Sequence, residues 1–366
     1  MGLKTFTLII VSFLGLVSAR SRSRGKVPCM FIFGDSLVDN GNNNDILTLA
    51  RANYLPYGVD FPGGVTGRFC NGRTTVDFLA AFLGFSEYIP PYATTSGTAL
   101  LRGVNFASGA AGIRDETGRN LGEHLSMNQQ VANFARSVEE MRALLSRSNI
   151  SVTAYLRKCI FSVGMGSNDY LNNYFMPDYY NTGSQYTPRE YASSLIQDYG
   201  RQLMELYELG ARKVAVIGVG QIGCIPYELA RSTNDDANGA RCVSRINNAI
   251  ILFNSGLLSL VKSFNSRLPG AKFTYINSYS SFQHLIANAS SYGFTVVDKG
   301  CCGVGRNNGQ VTCLPFQQPC SNRTEYIFWD AFHPTEAANI ILAQKAYASK
   351  YCSDAYPINI RQLAKQ

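Results

Sequence analysis

The chain has 366 residues, 46% hydrophobic and 16% charged, which suits one large α/β domain or two ordinary ones and excludes a disordered chain. Its formal net charge is +8, but five of the positives (Lys4, Arg20, Arg22, Arg24 and Lys26) lie at the very start. What is left resembles no nucleic-acid footprint.

Lys4 precedes an apolar run from Phe6 to Val17, broken only by Thr7, Ser12 and Gly15. The run is too short to span a bilayer, and Val17-Ser18-Ala19 offers the small residues that a signal peptidase needs. Residues 1–19 are therefore expected to be a cleaved secretory signal, and 20–366 a single domain. The basic arm at 20–26 reads as a solvated tail. No other stretch approaches the roughly 18 apolar residues of a membrane helix, so the mature chain is expected to be secreted without stable membrane insertion.

Strand-length apolar runs follow at Met30–Phe33, Val104–Ala107, Cys159–Val163, Val214–Ile217 and Phe273–Ile276. Between them, Thr75–Leu83, Val131–Leu145, Tyr191–Leu209 and Thr335–Tyr347 read as helices. Ile246, Ile250, Phe253, Leu257, Leu260 and Phe264 step by 4, 3, 4, 3 and 4 and mark one more helix face. Alternating strands and helices predict a parallel sheet covered on both faces. Tyr170–Thr187, rich in Tyr, Asn and Pro, reads as a long surface loop. The Asn-rich turn behind Ser36, up to Asn44, reads as too polar for any core.

In an oxidising compartment the ten cysteines favour disulfides. Cys224 and Cys242 flank one polar loop; Cys301, Cys302, Cys313 and Cys320 crowd another. Paired CxxC knuckles are lacking, so no metal site is expected there. Cys159, inside the apolar run CIFSVG, reads as a buried thiol. Asn149, Asn288 and Asn322 head N-x-S/T sequons and are expected glycosylation sites.

In an open parallel sheet, working residues gather beyond the carboxyl ends of the strands. Gly34-Asp35-Ser36-Leu37 follows the first strand, Ser108–Gly112 the second, and Gly164–Asp169 the third. A serine needs a base, and the chain has three histidines. His124 and His284 lack a distinctive acidic partner. His333 follows Asp330 by three residues and precedes Pro334, which suits a first helical turn; a carboxylate so placed can orient an imidazole, or the pair can merely cap the helix.

Together, Gly34-Asp35-Ser36-Leu37 with Asp39 and Gly41, the Asn105–Gly112 turn, Gly166-Ser167-Asn168-Asp169 and Asp330-x-x-His333 resemble the blocks of the GDSL (SGNH) hydrolases. They come in that family's order across nearly the whole mature chain, and the signal and NGNNN turn resemble its plant esterase/lipase branch. The resemblance implies a three-layer flavodoxin-like α/β fold, with a central parallel sheet of about five strands covered by helices. It also implies ester hydrolysis without metal or cofactor. Ser36 would be the nucleophile, His333 the base and Asp330 its orienting acid. Backbone N–H groups of Ser36 and of the second turn, at Gly109, would form the oxyanion hole with the Asn168 side chain. Many relatives carry Gly-Gly in that turn where this chain has Gly109-Ala110, which leaves open which N–H faces the oxyanion. A helix start behind Ser36 would aim further N–H groups at developing negative charge.

Rival readings rest on less. Gly218-x-Gly220-x-x-Gly223 is a literal dinucleotide fingerprint and predicts a helix opening at Gly223, as in an oxidoreductase. No serine has the G-x-S-x-G context of an α/β-hydrolase. A non-catalytic binding protein on the same fold is the remaining alternative. Lipid, phenolic and acetylated-sugar esters are the expected substrate classes, and nothing marks an oligomeric state.

Overall fold

The computed structural model describes residues 27–232, 242–351 and 353–366. The expected signal at 1–19, the basic arm and Cys352 lie outside the described residues, as does most of the loop between Cys224 and Cys242.

Four parallel strands form the centre, in the order β1 (Met30–Gly34), β2 (Ile160–Gly164), β3 (Lys213–Ile217) and β4 (Lys272–Ile276). A two-residue strand, β7 (Ala355–Tyr356), pairs antiparallel with β4 and makes the fifth. Successive side chains point to opposite faces, and both faces are buried. Phe31, Phe33, Phe161 and Val163 pack beneath α2 (Met127–Ser146), α3 (Pro188–Glu208) and α4 (Ser244–Arg267). Met30, Ile32, Ile160 and Ala215 face α1 (Thr75–Leu83) and α6 (Glu336–Ala348). Helix α5 (Ser278–Ala287) follows β4, and a small parallel pair, β5 (Val296–Gly300) with β6 (Tyr326–Phe328), stands apart. This is the expected α/β fold with a mostly parallel five-stranded sheet between helical layers.

The fifth strand is not the expected one. Val104–Ala107 runs beside β1 without entering the regular ladder: Val104 O accepts from Ile32 N, while Phe106 N and Ser108 N donate to Ile32 O and Gly34 O at 2.8 and 3.1 Å. Counting this strip, the parallel order is 2-1-3-4-5. In that order the switch point, where ligand crevices of doubly wound sheets lie, falls between β1 and β2, the strands that lead into Ser36 and Asn168.

Helices α2 and α3 begin earlier than the apolar spacing implied. Ser126 with Gln129, and Thr187 with Glu190, form capping boxes that recruit polar residues into the first turn. The expected surface loop at 170–187 is largely helical at its start, where Tyr170–Tyr174 is a buried wide turn. Its polar groups find partners inside: Asn173 Nδ2 donates to Thr117 Oγ1, and Tyr174 Oη to Tyr186 O. Cys159 is no free thiol. Register places Met30 opposite Ile160, so Cys29 and Cys159 meet and form a disulfide. The other bridges are Cys224–Cys242, Cys301–Cys320 and Cys302–Cys313; Cys70 is a buried thiol. Asn149, Asn288 and Asn322 are all exposed.

Candidate active site

Strand β1 ends at Gly34, whose N–H and C=O are both held by the Gln130 side chain at 3.0 and 2.8 Å. A Cβ on Gly34 would lie 2.7 Å from Val38 Cγ2, so glycine allows the chain to fold back immediately. The next residues make one turn, with Val38 N and Asp39 N donating to Asp35 O. No helix continues from it, contrary to expectation, because Asp39 and the asparagines bend the chain inward. Ser36 is therefore not a helix cap.

That Asn-rich turn is the site's buried scaffold, although it reads as solvent-facing. Asn40, Asn42 and Asn43 are buried, and their side-chain N–H groups donate to backbone carbonyls in place of water. Asn42 Nδ2 donates to Asn105 O and Ala107 O at 2.9 and 2.7 Å; Asn43 Nδ2 donates to Ala50 O and Gly109 O. Asp39 accepts from Gly41 N and Asn42 N with Oδ1, and from Gly109 N with Oδ2 at 2.9 Å. These bonds lock the first turn to the second.

They also correct one expected donor. Gly109 gives its N–H to Asp39 and has none left for a ligand. Ala110 lines the cavity beside Ser36, and its N–H has no partner among the described residues. Ala110 holds φ +67°, the left-handed region where glycine is cheaper.

From the third turn, Asn168 is buried, donates Nδ2 to Ala111 O at 2.9 Å and accepts from Asn172 Nδ2 at 2.7 Å. Asp169 next to it braces the second turn, accepting from Ile113 N, Arg114 N and Thr117 Oγ1. Burial raises its carboxyl to about 6 against those donors. Asp35 is also raised to about 6 by burial, with the Leu37 N–H and the His333 charge opposing.

Asp330 and His333 lie in a turn between β6 and α6. Thr335 caps α6, not His333, and Pro334 bridges to Phe328 before the helix starts. The Asp330–His333 pair is thereby free of any capping duty. Asp330 Oδ1 accepts from Phe332 N and His333 N at 2.9 and 2.8 Å. His333 Nδ1 lies 2.8 and 2.9 Å from the two carboxylate oxygens, and Nε2 lies 2.8 Å from Ser36 Oγ. Burial would raise the Asp330 carboxyl, but the His333 charge and hydrogen bond, the Tyr57 hydroxyl and the Phe332 N–H hold it below the ordinary value. Phe69 packs on the imidazole, ring centres 5.1 Å apart. Tyr57 and Thr312 reach Asp330 from distant loops, and no sequence spacing signals either. His124 and His284 lie elsewhere, His124 against Gly122 O and His284 on the exposed side of α5.

A cavity of about 370 Å³ opens on Ser36 and His333, within the usual range of small-molecule sites. Leu37, Leu79, Leu171, Ile222, Phe282 and Leu342 give its lining a mostly apolar character. Gly218–Ile222 also lines it, but no helix opens at Gly223. A single 3₁₀ turn, Ile222–Cys224, leads to Pro226, and Asn254 clamps both backbone groups of Val219. The dinucleotide geometry is absent there.

Residues 30–346 match the family model of the GDSL-like lipase/acylhydrolases. The GDSL esterase/lipase At1g33811 of Arabidopsis thaliana is 58% identical over 370 residues, covering 100% of both chains. The GDSL esterase/lipase At5g45670 of the same plant is 58% identical over 337 residues, 92% of each. Among solved structures, phospholipase A1 from Streptomyces albidoflavus NA297 aligns with a TM-score of 0.31 and 14% identity, over 86% of this chain and 94% of that one, too distant to inform function. The chain belongs to the GDSL-like lipase/acylhydrolase family and is a hydrolase of ester bonds.

Proposed function

We propose that the protein is a secreted serine esterase in which Ser36 attacks the ester carbonyl. The observation that supports this most is the hydrogen-bonded line from Ser36 Oγ through His333 to the Asp330 carboxylate. His333 Nε2 takes the serine proton as the Oγ–C bond forms, and the imidazolium is stabilised by Asp330 behind it. The N–H groups of Ser36 and Ala110 and the Asn168 amide face the oxyanion in this reading. Collapse of the tetrahedral species passes the proton from His333 to the leaving alcohol. A water, deprotonated by the same imidazole, then releases the acid and restores Ser36.

The apolar cavity favours esters with a sizeable hydrocarbon part over acetylated sugars. Four disulfides and three exposed sequons among the described residues support an extracellular setting, with 1–19 as the removed signal and 20–366 as one hydrolase domain. Among the described residues no helix is long and apolar enough to cross a membrane.

An active-site phosphonate should label the mature protein once, at Ser36, and Ser36→Ala should abolish both labelling and turnover with the fold intact. Labelling that survives Ser36→Ala would sink the assignment. A panel of esters of rising acyl length should show kcat/KM increasing with chain length.

A further inference from the structure

Asp330 is held by more than His333. Its Oδ2 accepts from the Tyr57 hydroxyl at 2.6 Å and the Thr312 hydroxyl at 3.0 Å, and the two hydroxyls lie 2.8 Å apart. Neither belongs to the four polar turns. Tyr57 follows Pro56 in a turn fixed by Gly58 N to Cys70 O, and Thr312 lies in the loop closed by Cys302–Cys313. The neighbourhood allows neither to drift. Tyr57 is 1% exposed, with its ring edge-on to Trp329 and Phe69 at 6.2 and 6.3 Å. Cys302 N donates to Trp329 O at 2.7 Å, and Tyr54 Oη to Cys313 O at 2.8 Å, so the disulfide loop and the Tyr57 turn are bonded to each other and to the strand end that carries Asp330.

A buried hydroxyl is costly unless bonded, and that of Tyr57, together with that of half-buried Thr312, is placed on one carboxylate oxygen. We propose that Tyr57 and Thr312 are positioning residues for ester hydrolysis: they fix the rotation of the Asp330 carboxylate and share its negative charge, so that His333 meets Ser36 in line. The proposal rests on the roles given above to Ser36, Asp330 and His333.

A carboxylate with fewer donors keeps more charge for the imidazolium, which then holds its proton more tightly. Loss of either hydroxyl should therefore raise the pH at which His333 becomes a base, besides loosening its orientation. The other ionisable groups facing the pair are Asp35, at the end of β1, and Tyr54, on the Tyr57 turn; both stay in place in the variants.

The experiment is kcat/KM against pH on a soluble ester for Thr312→Val, Thr312→Ser and Tyr57→Phe. Thr312→Val and Tyr57→Phe should move the acidic limb upward by about half a pH unit or more and lower kcat about tenfold, with KM within about twofold. Thr312→Ser, which keeps a hydroxyl, should retain the parent's limb. A role in packing alone would lower Tm and leave the limb in place. An unmoved limb in Thr312→Val overturns the proposal, and this variant decides the matter even where Tyr57→Phe does not fold. Phosphonate labelling separates the two layers: an unmoved limb in enzyme still labelled at Ser36 defeats the positioning roles alone, whereas activity persisting in Ser36→Ala defeats the underlying triad.

Discussion

The side-chain amide of Asn172 donates to Oδ1 of Asn168 at 2.7 Å and so fixes which way the Asn168 amide faces. One Asn168 N–H is then given to Ala111 O, and the second is left for a ligand in the cavity that both asparagines line.

A donor that meets the oxyanion helps the transition state more than the ground state. Asn168→Ala should therefore lower kcat by about 10²–10³ with little change in KM. Asn168→Asp, nearly the same size, should be at least as impaired at neutral pH, because a carboxylate repels the oxyanion. Asn172→Ala should cost about tenfold in kcat by freeing the Asn168 amide to turn over. Steady-state kinetics with circular dichroism as a folding control checks all three; full activity in Asn168→Asp would leave Asn168 as turn chemistry.

Of the three histidines, only His333 reaches Ser36. His333→Ala should lose about 10³-fold or more in kcat, whereas His124→Ala and His284→Ala should stay within about twofold. Esterase assays on the three purified variants decide it, and a large loss in either of the last two would reopen the choice of base.

How much of this was legible in the residues depends on the distance over which each feature acts. Four central strands and the polar turns after them could be read because apolar runs and strand-end glycines are local signals. That Ser36, Asp330 and His333 meet, with Asn168 lining the same cavity, was legible through their motifs. Asn42 and Asn43 were misread because a buried amide looks like a solvated one until its carbonyl partners, more than 60 residues on, are known. Gly109 was misassigned for a similar reason: its N–H is claimed by Asp39, which only the packed turn reveals. The Cys29–Cys159 bridge needed the strand register, and β7 is too short to leave a pattern.

Asp35 offers a test of buried charge. Burial raises its carboxyl from the ordinary 3.8 to about 6, against the opposing Leu37 N–H bond, the His333 charge and its own backbone N–H. The unfolded chain ionises first as pH rises, so stability present below about pH 4 is lost progressively up to about pH 6. Asp35→Asn keeps an acceptor for Leu37 and removes the charge. Relative to the parent it should gain about 2–3 kcal/mol at pH 7.5 and almost nothing at pH 4, as read by denaturant unfolding at the two pH values. An equal difference at both would mean that Asp35 is not strained by burial.

The Cys29–Cys159 bridge closes the longest loop of the four, with a sequence separation of 130. In the chain-entropy view such a loop contributes about 4–5 kcal/mol, so the double variant Cys29→Ala/Cys159→Ala should unfold at lower denaturant. Because the pair joins the starts of β1 and β2, far from the strand ends that carry Ser36, kcat below the unfolding transition should be close to the parent's. A stability unchanged by the double variant would remove the bridge from the account.

That same bridge has a bearing on survival among proteases. The exposed turn at Arg147–Ile150, after α2, lies inside the loop it closes, between Ser36 and His333 in the chain. A cut there would not release a fragment. The piece bearing Ser36 and the piece bearing His333 would stay covalently joined, with β1 and β2 still paired, and the nicked protein would part into two bands only after a reductant is added.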